Sequence, residues 1–268
     1  MLVANDLYMA DEYYMEAVRL DPLQATYRAD LAQIYASAGL NQQDQILIDK
    51  AYYQVEKASN LKPYDPVIAS IVINVYQLLG EKEKAIAKAG ELLEINPLNI
   101  VNYELVMDLN LVQALDMLAL TQRERAQGRA DAIMQAGAML EENIARLAKQ
   151  YPAGPIYWQG RRLVYTGQAA LRVAQARMIQ GGISISKEVF LELVTGRLGA
   201  EETAEETKEE ALIWLVAAGY LENDQETAAE LLEMITLEDK KEHIIEEAFL
   251  LAKLLITEEV NYERRNTQ

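Results

Sequence analysis

The sequence predicts an all-α protein built as a solenoid of antiparallel helix pairs, and three observations carry that reading. Gly and Pro are scarce, 13 and 6 in 268 residues, against a background rich in Ala, Leu, Glu and Gln, which favours helix over strand. An apolar stripe recurs in three segments, each closed by proline. A second recurrent pattern, an apolar pair followed by tyrosine and then glycine, precedes two of those segments.

In Ala10–Leu23, Ala51–Tyr64 and Ala85–Leu98 a small residue is followed four positions later by Tyr14, Val55 or Ala89. Three positions on comes Ala17, Ala58 or Leu92, and five beyond that Pro22, Pro63 or Pro97. Offsets of four and three align side chains along one helical stripe. The proline cannot continue a helix and pushes its predecessor out of helical geometry, so each helix should stop there. Upstream, Leu31, Ala32 and Tyr35 lead to Gly39, and Val72, Ile73 and Tyr76 lead to Gly80. These mark a packing edge on a first helix, with the glycine expected to supply the helix-ending turn.

The unit of helix, turn, helix and proline resembles the tetratricopeptide repeat, and Pro63 to Pro97 matches that family's 34-residue period. The resemblance is strong over residues 25–97, partial over 1–22 and degenerate from 98 onward. It implies a right-handed solenoid whose first helices line a concave, protein- or peptide-binding groove. Carried onto this sequence, the lining positions are Thr26, Ala29, Gln33, Ser37, Val67, Ser70, Asn74 and Gln77, continuing through Val101, Glu104 and Asp108. The basic set with which chaperone-binding members hold a terminal carboxylate is missing, although Asn74 matches one of its positions. The wording from Tyr13 to Gly39 also resembles the soluble repeat tails of O-antigen ligase-like bacterial membrane enzymes. That likeness implies the soluble part of a larger bacterial envelope protein, extracytoplasmic or periplasmic in that case and otherwise cytoplasmic. Ala10 falls in the second helix of a unit whose first helix is missing, so either an upstream element lies outside this sequence or Leu2, Val3 and Leu7 extend the helix.

Departures from the period are multiples of seven. Pro22 to Pro63 spans 41 residues and Pro97 to Pro152 spans 55, excesses of seven and 21 over the family repeat. Seven residues make about two helical turns, so elongated helices are expected rather than loops. Beyond Pro152 one long helix is expected over residues 155–180, ended by Gly181 and Gly182, with weaker helices to the C-terminus. The organisation read from sequence is repeats over 1–97, an elongated pair plus long helix over 98–183, and a degenerate repeat with capping helices over 184–268.

Charge and residue inventory exclude much. Residues 1–120 hold 8 basic against 17 acidic side chains, residues 121–180 hold 9 against 4, and the remainder 8 against 21, for a net −17. So acidic a chain repels phosphate backbones, which argues against nucleic acid as partner. Arg123, Arg125, Arg129, Arg161, Arg162, Arg172 and Arg177 are expected on solvated faces. With no Cys and one His, thiolate chemistry and thiolate metal sites are absent. No phosphate loop, metal motif or nucleophile elbow occurs, so no catalytic residue, cofactor or metal is implied and a non-enzymatic scaffold is the leading reading. The alternative is a ligand- or glycan-binding site at Tyr157, Trp158, Arg161, Arg162 and Tyr165, where rings adjoin guanidinium groups. No stretch reads as a membrane span.

Overall fold

The computed structural model describes residues 2–151, 157–158, 161–197, 204–223 and 238–256. Those residues form eleven helices: α1 Leu2–Leu20, α2 Ala25–Gln42, α3 Gln45–Leu61, α4 Pro66–Leu78, α5 Lys82–Ile95, α6 Ile100–Ala119, α7 Arg123–Gln150, α8 Gly167–Ile179, α9 Ile183–Val194, α10 Glu205–Glu222 and α11 Glu238–Leu255. The fold class is the expected all-α solenoid of antiparallel pairs. The one extended element among the described residues is a two-residue antiparallel ladder, β1 Tyr157–Trp158 with β2 Arg161–Arg162. The chain divides into two compact units, Met1–Asn102 and Tyr103–Gln268.

In the first unit, α2 pairs with α3 and α4 with α5, while α2 also packs on α4, α1 on α2 and α3 on α4. The predicted stripes form its core. Ala51, Val55 and Ala58 of α3 are fully buried beside Leu31, Ala32 and Tyr35 of α2. Proline stops the second helices in one geometry. Lys62 and Asn96 have φ/ψ of −139/72 and −136/71, and Tyr151, before Pro152, has −130/69. Each donates its backbone N–H to the stripe residue four back: Ala58, Leu92 and Leu147. Asp21, before Pro22, does the same to Ala17 at 2.9 Å.

The turns between paired helices share a second device. Asp44 donates its N–H to the Gly39 carbonyl, Glu81 to Tyr76, Gln122 to Met117 and Gly182 to Arg177, at 2.8–2.9 Å. The preceding residue is left-handed each time: Gln43 (φ 55), Gly80 (φ 73), Thr121 (φ 59) and Gly181 (φ 95). Gly80 ends α4 as expected, but Gly39 does not end α2. That helix runs on to Gln42, and buried Gly39 is a point of close approach. A Cβ there would lie 2.9 Å from Ile48 Cγ1 and 3.0 Å from the Ile48 backbone N.

This difference locates the first insertion. From the edge tyrosine to the left-handed residue there are eight positions in the first pair, Tyr35 to Gln43, and four in the second, Tyr76 to Gly80. From the next residue to proline there are 19, Asp44 to Pro63, against 16, Glu81 to Pro97. The seven extra residues therefore divide as four on the way out and three on the way back. Each is about one turn, so the hairpin tip moves outward by one turn of each helix.

The second insertion is longer and equally regular. α6 has 20 residues against 13 in α4, and α7 has 28 against 14 in α5. Along α7 the apolar line Ala126, Ala130, Ile133, Gly137, Leu140, Ile144 and Leu147 alternates steps of four and three; Ile144 is half-buried and the rest are buried. This is a heptad seam. In this second unit α7 packs on α8, α8 on α9, α9 and α8 on α10, and α10 on α11.

The long helix expected over 155–180 is corrected. Helix begins only at Gly167, where Thr166 Oγ1 accepts the Ala169 N–H at 3.1 Å and so caps α8. The sequence just before it, Arg161-Arg162-Leu163-Val164-Tyr165-Thr166, favours extended backbone. Pro152 and Pro155 lie outside the described residues.

Replacing Gly39 by Ala tests the close approach. Helix propensity alone would make the change stabilising by about 1 kcal/mol. The contact with the Ile48 backbone opposes it, because neither helix can retreat without opening the core. A net loss of about 1–2 kcal/mol in urea unfolding is expected; a gain would mean that Gly39 has room.

Candidate functional site

The groove positions of the first unit fall on two neighbouring helices. Gln33 and Ser37 of α2 and Val67, Ser70, Asn74 and Gln77 of α4 are exposed, and Thr26 is half-buried. Ser70 Oγ donates to the Pro66 carbonyl at 2.9 Å. The stripe holds amides and hydroxyls and no formal charge. Its amides offer both donors and acceptors, the complement a peptide backbone requires.

Ala29 is corrected: it is fully buried and lines no groove. It belongs to one apolar core with Ala25, Ala36, Ile68, Val72 and Val75. Here α4 packs on α2, and a small side chain lets the helices approach. Ser70 on α4 is the counterpart of Ala29, and it is exposed.

Glu104 and Asp108 belong to the second unit, where both are already engaged. Thr166 Oγ1 donates to Glu104 Oε1 at 2.7 Å. Asp108 Oδ1 accepts from Arg172 Nε at 2.5 Å, and Arg172 Nη1 also bonds Glu210. Gln175, fully buried, accepts from Arg172 Nη1 at 2.9 Å and donates to Glu210 at 2.8 Å. With the oxygen of its amide facing the guanidinium, Gln168 accepts from Arg172 Nη2 at 2.5 Å and donates to Thr207 Oγ1 at 3.1 Å. α6, α8 and α10 are thus tied through one arginine. Burial alone would lower the pKa of that arginine, but Glu210 and Asp108 more than offset it and hold the group above its ordinary value.

Arg172 was expected on a solvated face and is instead buried, its side chain 11% exposed. Gln175, Glu210 and Thr166 carried no sequence signal as site residues. One signal was available for the arginine. Ten of the 13 residues of α8 are buried, and a helix hidden on nearly all sides leaves any charge within it no route to water. Three other arginines of that set also have protein partners: Arg123 Nη2 donates to the Leu255 carbonyl at 2.7 Å, Arg125 Nη1 to Gln122 Oε1 at 2.8 Å and Arg129 Nη1 to Asn110 Oδ1 at 3.4 Å.

For the alternative site, the ladder pairs Tyr157 with Arg162 and Trp158 with Arg161. The side chains of these four lie outside the described residues. Tyr165 is half-buried, and its pKa is pushed up to about 12, by burial first and the Glu141 charge second, against a smaller opposing pull from Arg177. Among the described residues no group of three acidic or histidine side chains could hold a metal ion. No helix among them is long and apolar enough to cross a membrane.

Stacked helix pairs of this length and closure define a tetratricopeptide-like fold. A similar solved structure is BtubC from P. vanneervenii, 15% identical, covering 91% of each chain with a TM-score of 0.50. YrrB, a TPR protein with an unusual peptide-binding site, is 13% identical over 90% of this chain and 97% of its own, with a TM-score of 0.48. PilW, a type IV pilus biogenesis factor, is 16% identical over 86% and 85%, at 0.45. No protein-family model and no curated sequence matches the chain. The likeness to polysaccharide-enzyme tails stands on the wording of the sequence alone.

Two outcomes follow for the second unit. Arg172→Met removes the shared cation and leaves two carboxylates facing each other. Both remain partly hydrated, so the loss should fall below that of a fully buried pair, at about 2 kcal/mol in denaturant unfolding. Asp108→Asn should cost less. The pH dependence has a definite sign. Tyr165 is neutral when protonated and titrates higher when folded than its ordinary 10. Its contribution is complete below pH 10 and is lost as pH rises from 10 through about 12. Tyr165→Phe should flatten the fall in melting temperature over that window.

Proposed function

We propose that the chain is a non-catalytic protein-interaction scaffold that binds a peptide segment along the α2–α4 face of its first unit. One observation carries the reading: Gln33, Ser37, Ser70, Asn74 and Gln77 form an exposed, uncharged, hydrogen-bonding stripe on a chain of net charge −17. Exposed amides held on rigid helices can meet backbone N–H and C=O groups with little loss of order. The lack of a basic clamp points to an internal peptide segment rather than a free C-terminal carboxylate as ligand. The membrane-protein origin implied by the sequence likeness is compatible with this role and adds no residue to it.

A ligand- or glycan-binding role is the alternative, supported by the ladder register that sets an aromatic position opposite an arginine position twice. The discriminating experiment selects peptides from a random library on the full chain and measures their affinity for Asn74→Ala/Gln77→Ala. Two lost hydrogen bonds at about 0.5–1.5 kcal/mol each should weaken binding roughly 5- to 150-fold, with the melting temperature unchanged. Failure to select any peptide would overturn the scaffold reading. So would selected peptides indifferent to that double variant. Protection of the ladder amides by an oligosaccharide would establish the alternative.

A further inference from the structure

The α2–α4 face repeats its chemistry from one first helix to the next. From proline to edge tyrosine there are 13 steps in both pairs, Pro22 to Tyr35 and Pro63 to Tyr76, so equivalent positions stand level on the two helices. Two residues before each tyrosine is an exposed amide, Gln33 on α2 and Asn74 on α4. A ligand crossing the helices therefore meets the same group twice, one helix spacing apart. Asn74 is bracketed along its own helix by apolar surface. Ile71, one turn before it, is half-buried, and Leu78, one turn beyond, is 40% exposed.

We propose that the peptide taken by this face is a proline-rich segment in the polyproline II conformation, lying across α2 and α4, an assignment that rests on the peptide-binding reading above. Spacing selects the conformation. Packed helices lie about 8–10 Å apart, and α2 packs directly on α4 with Ala29 fully buried in their shared core. A polyproline II chain repeats every third residue, about every 9.3 Å, and so returns a carbonyl in the same orientation at each helix. A β-strand repeats about every 6.6–6.8 Å and an α-helix about every 5.4 Å. Either of those, in register with Gln33, would miss Asn74. Hydrogen bonding selects the same ligand. A polyproline II segment makes no internal hydrogen bonds and its prolines have no N–H, so its carbonyls need donors and nothing else. Gln33 Nε2 and Asn74 Nδ2 are such donors. An α-helical ligand has already committed its carbonyls. Charge agrees as well: the stripe is uncharged on a chain of net −17, which suits uncharged rings and repels an acidic peptide.

The probe is dodecaproline, acetylated and amidated so that it carries no charge, titrated calorimetrically into the full chain. The control is an uncharged twelve-residue repeat of serine and threonine, which favours the strand. Dodecaproline should bind saturably and at least tenfold more tightly than the control. Gln33→Ala and Asn74→Ala should each weaken it about 2- to 12-fold, and the double variant about 5- to 150-fold. Both side chains are exposed, so the melting temperature should not move. A control that binds as tightly would overturn the proposal, as would dodecaproline binding indifferent to the double variant. Absence of dodecaproline binding at 5 mM would overturn it too. If library peptides then still bind in a manner dependent on Asn74 and Gln77, the ligand class is wrong and the peptide-binding reading stands; if none binds, that reading falls with it.

Discussion

A helix pair of this kind can hide its apolar stripe only against the pairs on either side, so the phase of that stripe must survive every change in helix length. The prolines enforce the starting point. Lys62, Asn96 and Tyr151 sit within ten degrees of one another although their side chains share nothing. Their conformation is set by the ring that follows, and through it the position of Ala58, Leu92 and Leu147 is set one turn back. With one end of each second helix anchored, length is free to vary only at the other. The insertions obey this: four and three residues around the first tip, then seven in α6 and fourteen in α7. A heptad drifts by only about 20° against the 3.6-residue helix, so α7 doubles the length of α5 and still presents one seam.

Much of this was legible in the sequence because phase is a local property. Proline positions, the small-residue stripe and the tyrosine edge each need only a few neighbouring residues to recognise. Gly39 shows the limit. A glycine four residues after an edge tyrosine ends α4 but not α2, since a glycine can serve as a left-handed cap or as a point of close approach. Which role it takes depends on where the partner helix begins. At the first tip the cap fell to Gln43, which pays the steric cost of positive φ that a glycine would escape.

The site was less legible, for a different reason. Exposure of a first-helix side chain depends on the next helix in the stack, which no local pattern reveals. Ala29 and Ser70 occupy the same repeat position, yet α4 covers the first and the second remains open. Arg172 makes the same point from the opposite side. Its sequence neighbours are small and apolar, and the carboxylates that neutralise it come from positions 64 residues before and 38 after. Helical period could place it on a face but could not supply those partners.

The two units consequently treat hydrogen-bonding capacity in opposite ways. In the second, Asp108, Gln168, Arg172, Gln175 and Glu210 bond one another across three first helices, and Thr166 separately bonds Glu104. A network of that kind fixes geometry more than it adds stability, because each charge brought out of water must be offset by the bonds it gains. It leaves little for a ligand to displace without exposing a buried guanidinium. In the first unit the tyrosines that need partners find them inside the fold: Tyr35 bonds Asp11, Tyr14 bonds Asp30, and Tyr52 donates to Glu81 at 2.6 Å. The amides of α2 and α4 are not drawn into any such network, and their donors and acceptors face water. Rigid positions with free hydrogen-bonding capacity are what recognition of a backbone requires, and on the function proposed above the neutral face, rather than the charged one, is where a peptide would gain most by binding.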